Sequence, residues 1–105
     1  MQYSVKIIAS IILGMLLSAC VSTRVTQEVE RGKINFEAGN YKQSFHELLP
    51  LASEGSVHAQ YAVGYMYYYG YGVAQDSESG LFWMRKAAAA NYVPAIKALK
   101  MINGG

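Results

Sequence analysis

Moved along itself by 36 residues, this chain meets its own pattern again. Asn40 falls on Asp76, Phe45 on Leu81, Ala52 on Ala88, Gly55 on Asn91, Ala59 on Ala95 and Val63 on Leu99. A fixed period of this length, in segments long enough for helices, marks a solenoid, in which each helical hairpin hides its apolar face by stacking on the next. No stretch alternates apolar and polar residues with period two over several positions, so strands are not expected.

Glycine and asparagine divide the repeat region. The signals are Gly39-Asn40, Gly55-Ser56, Gly70-Tyr71-Gly72 and Asn91. Between them the spacing predicts five helices: about Gln27–Ala38, Tyr41–Glu54, Val57–Tyr69, a fourth after Asp76 to about Ala90, and Pro94 to about Ile102. Asn40, Ser56 and Asp76 are expected N-caps, since each side-chain oxygen can accept an orphan amide of the following turn. Pro50 falls inside the second helix, where a missing N–H predicts a kink or a distorted last turn. Proline in the first turn of the fifth helix is well placed.

The middle of the chain carries Ala59-Gln60, Gly64, Met66-Tyr67, Gly70-Tyr71-Gly72-Val73, Asp76, Trp83 and Arg85-Lys86-Ala87-Ala88. This run resembles the Sel-one-like repeat, a relative of the tetratricopeptide repeat. That family carries an alanine, then Leu-Gly-x-Met/Leu-Tyr, Gly-x-Gly-Val, an Asp, a Trp and Lys-Ala-Ala. The resemblance covers about Gly39–Leu99. It implies an all-α fold, a short αα-hairpin solenoid with one whole repeat at roughly His58–Tyr92 and a half repeat on either side. It also implies structural roles for Ala59, Gly64, Tyr67, Gly70, Gly72, Asp76, Trp83, Ala87 and Ala88. Three positions depart from the family. Val63 replaces Leu, Asn91 replaces a glycine, and Gly80 replaces an alanine, with an expected lost methyl contact and up to ~1 kcal/mol of helix propensity.

Helical geometry reaches the same stripe independently. On a wheel of 100° per residue, Ala59, Val63, Met66 and Tyr67 fall together, continued by Gly70, as a core face. Gly64 would let a neighbouring helix approach closely, and Gly70 and Gly72 would turn the chain through positive φ. On the fourth helix Trp83 and Ala87 line one face and Leu81 and Ala88 another.

Tyr61, Tyr65 and Tyr68 follow i, i+4, i+7 opposite that core, and Tyr69 and Tyr71 extend the aromatic patch. Two readings stand side by side. The stripe packs on the second and fifth helices, or it is a peptide-binding surface, for which tyrosine offers large contact area, a polar tip and little entropy to lose. Phe82 is a further binding candidate on the polar side of its helix. Its bland alternative is a cation–π contact under Arg85 or Lys86.

The N-terminal segment reads as an address. Lys6 precedes the apolar run Ile7–Leu17, which is too short to span a bilayer, where ~20 apolar residues are needed, and fits a signal-peptide core. Leu17-Ser18-Ala19-Cys20 then looks like a bacterial lipobox. The resemblance implies cleavage after residue 19, a diacylglyceryl group on the Cys20 thiol and an acylated amino terminus. It also implies an outer-membrane anchor facing the periplasm, because Val21 rather than Asp follows the cysteine. The expected organisation is therefore a signal peptide at 1–19, a lipidated tether at 20–27 and a repeat domain at 28–105.

Charge and motif content narrow the function. A formal net charge of +2 excludes a dedicated nucleic-acid binder, which needs a basic stripe to displace counterions. The single cysteine excludes an internal disulfide framework. His46 and His58 lie in no metal motif, Gly70-x-Gly72 follows a helix rather than a strand, and Ser44, Ser53 and Ser56 lack a nucleophile motif, so neither catalysis nor a cofactor is expected. Glu47 and Glu54 share a face, in a chain too small for a glycosidase cleft. Solenoids usually need about three repeats, and this chain has about two, so pairing with a partner or with itself is expected. The reading is a membrane-anchored adaptor or scaffold that docks another envelope protein. The alternative is an inhibitor or a small-ligand or glycan binder that uses the tyrosine face.

Overall fold

The computed structural model describes residues 23–104. The signal segment, Cys20 and the start of the expected tether lie outside the described residues. The five helices are α1 (23–37), α2 (Tyr41–Ser53), α3 (Val57–Tyr69), α4 (Ser77–Ala89) and α5 (Val93–Gly104), and no strand occurs among the described residues. Successive helices pack as antiparallel neighbours, α2 on α3, α3 on α4 and α4 on α5.

The expected tether is corrected at its inner end. Residues 23–27 already belong to α1. Val25 and Val29, one turn apart, give this stretch an apolar edge that faces α3, and Val29 packs against the core. Arg24 and Glu28 pair across the same turn at 3.4 Å.

Two of the three expected caps form. Ser56 accepts from the Ala59 amide at 3.4 Å. Asp76 accepts from the Ser79 amide at 3.2 Å and from its hydroxyl at 2.7 Å. Asn40 makes no side-chain cap, because its backbone (φ −83°, ψ 61°) lacks the extended form of Ser56 and Asp76 that aims a capping oxygen back at the helix. The last turn of α2 is intact despite Pro50. The Glu54 amide donates to the Pro50 carbonyl at 3.0 Å, and the Ser56 amide reaches back to Leu51 at the same distance.

The core runs along the middle of the stack. Leu48, Leu51 and Ala52 of α2 meet Ala59, Val63 and Met66 of α3, all buried, with Phe45, Tyr67 and Trp83 packed around them. The Phe45 and Tyr67 rings meet edge to face at 5.1 Å. Met84, Ala87 and Ala95 are buried further along, and Ala88 lies half-buried against α5. Full burial of a side chain the size of Val or Met is worth about 1.5–3 kcal/mol. Among the described residues the two buried polar side chains are both satisfied: Ser44 Oγ donates to the Gly32 carbonyl at 2.7 Å, and Gln60 Nε2 to the Ala52 carbonyl at 3.2 Å.

α3 and α4 cross at a pair of glycines. A Cβ on Gly64 would stand 2.9 Å from the Gly80 carbonyl oxygen and 2.9 Å from Met84 Cγ. A Cβ on Gly80 would stand 2.8 Å from the Tyr68 backbone nitrogen and 2.9 Å from the Gly64 carbonyl oxygen. Gly80 therefore does not forfeit a methyl contact, as its departure from the family implied. There is no room for the methyl.

The first hairpin repeats this arrangement on a shorter loop. A Cβ on Gly32 would meet Leu48 at 2.6 Å, and Ser44 holds the Gly32 carbonyl. Ser44 and Leu48 stand 36 residues before Gly80 and Met84, whereas Gly32 stands 32 before Gly64. The difference lies in the connection, 38–40 between α1 and α2 against 70–76 between α3 and α4. α1 thus completes the half repeat that precedes the whole one.

The longer loop is placed by Gly72. Its φ is +73°, and a Cβ there would collide with the Tyr41 carbonyl at the start of α2. Gly70, at φ +76°, ends α3 in the left-handed form, and Asn91 does the same after α4 at φ +64°, a conformation in which Asn costs less than most residues.

Candidate functional site

A groove of about 640 Å³ runs between α1 and α3 and ends at the turn before α5. Val25, Val29 and Phe36 form one wall, Tyr61, Ala62 and Tyr65 the other, and His58 and Tyr92 close one end. Glu30 and Lys33, paired at 3.9 Å and both exposed, stand on the α1 side. The apolar floor with a thin polar rim is the usual make-up of a site that buries part of a ligand or a peptide.

The rings of this groove form a continuous chain. Tyr92 meets His58 at 4.9 Å and Tyr61 at 5.5 Å, both edge to face. Tyr65 meets Phe36 at 6.1 Å, stacks on Tyr71 at 6.0 Å and touches Tyr69 at 4.7 Å. Phe36, Tyr41 and Tyr71 close a triangle at one end of the series, with Phe36 5.0 Å from Tyr41 and 5.6 Å from Tyr71. Each edge-to-face or offset pair adds about 0.5–1.5 kcal/mol beyond its buried area. The walls are therefore held in place without a ligand.

Burial, followed by the neighbouring phenols, pushes the Tyr61 and Tyr65 hydroxyls above the ordinary tyrosine range. Both stay neutral at physiological pH and offer hydrogen bonds rather than charge. The Tyr92 hydroxyl lies 3.2 Å from His58 Nδ1.

The five binding candidates separate. Tyr61 and Tyr65 line the groove. Tyr69 is more than half exposed and reaches it only through Tyr65. Tyr68 does not line the groove: it sits at the flank of the stripe nearest α4, with its Cβ against Gly80 and its ring 4.9 Å from that of Tyr69. Phe82 lies on α4, no residue of which lines the groove. It is exposed, and the Lys86 ammonium stands 5.4 Å over its ring and 5.3 Å over that of Trp83. Tyr61 and Tyr65 meet α1 and the loops on either side of α4, and Tyr68 lies against Gly80 of α4.

Sequence reasoning missed Val25, Val29, Phe36, His58 and Tyr92 as groove residues. The Val25/Val29 pair, four residues apart, was the available signal. Tyr92 carried none, since only the fold brings it to Tyr61. Glu47 is held below the usual carboxylate range by hydrogen bonds from Gln43 at 3.0 Å and Asn35 at 2.9 Å, in a surface network that ties α2 to α1. Among the described residues no three His, Cys, Asp or Glu side chains converge to hold a metal, and no helix is long and apolar enough to cross a membrane.

Residues 57–92 match the family model described as Sel1 repeat. The chain carries a Sel1 repeat. The matched segment is α3, the loop with Gly70 and Gly72, α4 and the turn to Tyr92. In this Sel1 repeat Gly64 and Gly80 make the helix crossing, and Asp76 caps the second helix. α1 and α2 stack on it as an earlier hairpin, and α5 begins a later one. Sel1 repeats are helical scaffolds for protein–protein interaction. No solved structure matches the chain.

Proposed function

We propose that this Sel1-repeat chain is a lipid-anchored adaptor of the bacterial cell envelope, which holds another protein in the groove between α1 and α3 and performs no catalysis itself. The groove carries the reading. Its walls are preformed by ring contacts, its floor is apolar, and its tyrosines present polar tips to an incoming chain. Preorganised walls reduce the ordering cost of binding, and tyrosine is among the residues enriched at binding hot spots. The anchor rests on the sequence Leu17-Ser18-Ala19-Cys20 behind an apolar run. The leaflet assignment, outer membrane facing the periplasm, rests on Val21.

A photo-crosslinking amino acid at Tyr61, inside the groove, is compared in intact cells with the same group at Phe82, outside it. Discrete higher-mass protein adducts from position 61 and not from 82 support the adaptor. Adducts that are absent at 61, or identical at both positions, overturn it. Globomycin treatment tests the anchor: the unprocessed precursor accumulates if Cys20 is the acylated residue.

The second reading is a binder of glycans or other small ligands. The phenol rings of Tyr61 and Tyr65 in the groove lining favour it, since flat phenol faces also accept sugar rings. Retention on a glycan resin that is lost in Tyr65→Ser, without protein adducts at position 61, would select this reading.

A further inference from the structure

α1, α3 and α5 start, and α2 and α4 end, at one edge of the stack. The groove shows this directly, since Val25 near the start of α1 shares it with Ser56 and His58 at the start of α3 and with Tyr92 before α5. The opposite edge carries the 38–40 and 70–76 connections. The two edges differ in chemistry. The first exposes Ala89, Ala90, Val93 and Pro94, with Val93 55 % exposed, and its charges are Glu54, Lys86 and Arg24, the last paired with Glu28. The second gathers Glu37, Asp76 and Glu78 against Lys42.

We infer that the first edge rests on the anionic phospholipid leaflet that holds the chain's own anchor, so that the groove opens beside the membrane and the carboxylate-rich edge points away from it. The inference rests on the lipid anchor proposed above. Its independent support is the helical start of α1. Cys20 stands three residues before Thr23, and three residues of chain reach at most ~11 Å. With α1 helical from residue 23, no long tether remains to let the domain wander. The edge is held within about a Debye length of the headgroups, ~8–10 Å at physiological salt. Turned toward the leaflet, the far edge would bring its carboxylates against an anionic surface and be repelled, whereas the near edge presents small apolar side chains and the Lys86 ammonium. The groove then accepts a partner segment that lies close to the bilayer, such as the juxtamembrane stretch of an anchored protein.

The test uses the full acylated protein, purified from membranes and reconstituted in vesicles of phosphatidylethanolamine and phosphatidylglycerol. Acylated Cys20 does not react with thiol probes, so Ala90→Cys and Ala38→Cys, both at exposed positions, each carry one bimane label, with unchanged helical circular dichroism as the control for folding. Doxyl-labelled lipid should quench the label at position 90 several-fold more than that at position 38. Equal quenching, or stronger quenching at 38, in protein that still floats with the vesicles overturns the inference and leaves the anchor standing. Protein that does not float with the vesicles, or whose intact mass shows no acyl chains and an uncleaved N-terminus, overturns the anchor reading and this inference with it.

Discussion

Gly64 and Gly80 face each other across the α3–α4 crossing, each so placed that a side chain on one would strike the carbonyl oxygen of the other, at 2.9 Å in both directions. Two opposing effects can be weighed here. Replacing a mid-helix glycine by alanine gains up to ~1 kcal/mol of helix propensity. Forcing a methyl into a packed crossing costs about 1–3 kcal/mol. The obstructing atoms are largely backbone, which cannot rotate away. Gly80→Ala and Gly64→Ala are therefore expected to lower unfolding free energy in urea, by about 1–3 kcal/mol each. A stabilised Gly80→Ala would show that the helices separate at little cost.

Gly72 and Gly39 both have positive φ, +73° and +84°, but differ in surroundings. Nothing lies within 4 Å of a Cβ built on Gly39, whereas one on Gly72 collides with the Tyr41 carbonyl. Gly39→Ala should cost only the backbone strain, roughly 1–2 kcal/mol. Gly72→Ala should cost clearly more, read as a larger drop in thermal midpoint by circular dichroism. Equal drops would remove the contact between the second loop and the first hairpin.

The groove tyrosines predict an alkaline limit. Their hydroxyls titrate above the ordinary value because the ionised form is poorly solvated there. A folded pKa raised above the unfolded one means stability that is fully present below the unfolded value, near 10, and lost as pH rises through the folded value. Thermal midpoints measured from pH 8 to 11.5 should fall above about pH 10, and the fall should be reduced in Tyr61→Phe/Tyr65→Phe. An unchanged slope in the double variant would show that these rings titrate as in water.

Asp76 sets the acid limit in the opposite sense. The Ser79 hydroxyl, then the Ser79 amide, hold its carboxyl below the usual range. A depressed folded pKa contributes stability above the unfolded value, near 3.9, which is lost as pH falls through the folded value. Asp76→Ala should therefore melt at a lower temperature than wild type at pH 7, and the difference should shrink as the pH is brought below 4. A gap that persists at pH 2 would assign the effect to something other than the charged cap.

The five helices were legible because glycine, asparagine and serine punctuate the chain at nearly constant spacing, and α3 has the bounds that its signals predict. The start of α1 was not. Its polar residues outnumber Val25 and Val29, and the apolar surface those two cover belongs to α3. The equivalence of Gly32 with Gly64 was hidden by the three-residue connection 38–40, which breaks the 36-residue register upstream of α2. Tyr61 and Tyr65 could be marked as a face from spacing alone. Tyr68 could not be told from them, since only the crossing at Gly80 shows that α4 stands against it. Tyr92 joined the groove through the turn at Asn91, a long-range consequence that no local pattern carries.

The contact of Gly72 with Tyr41 bears on more than one loop. It fastens the tip of the second hairpin to the shoulder of the first, at the end of the stack away from His58 and Tyr92. A close contact there resists splaying of the two hairpins, like pages held at one corner, and so helps to set the gap between α1 and α3. The calibre of the recognition slot thus depends on a residue outside its lining, because a side chain at 72 would push on Tyr41, whose ring meets Phe36 in the groove wall at 5.0 Å.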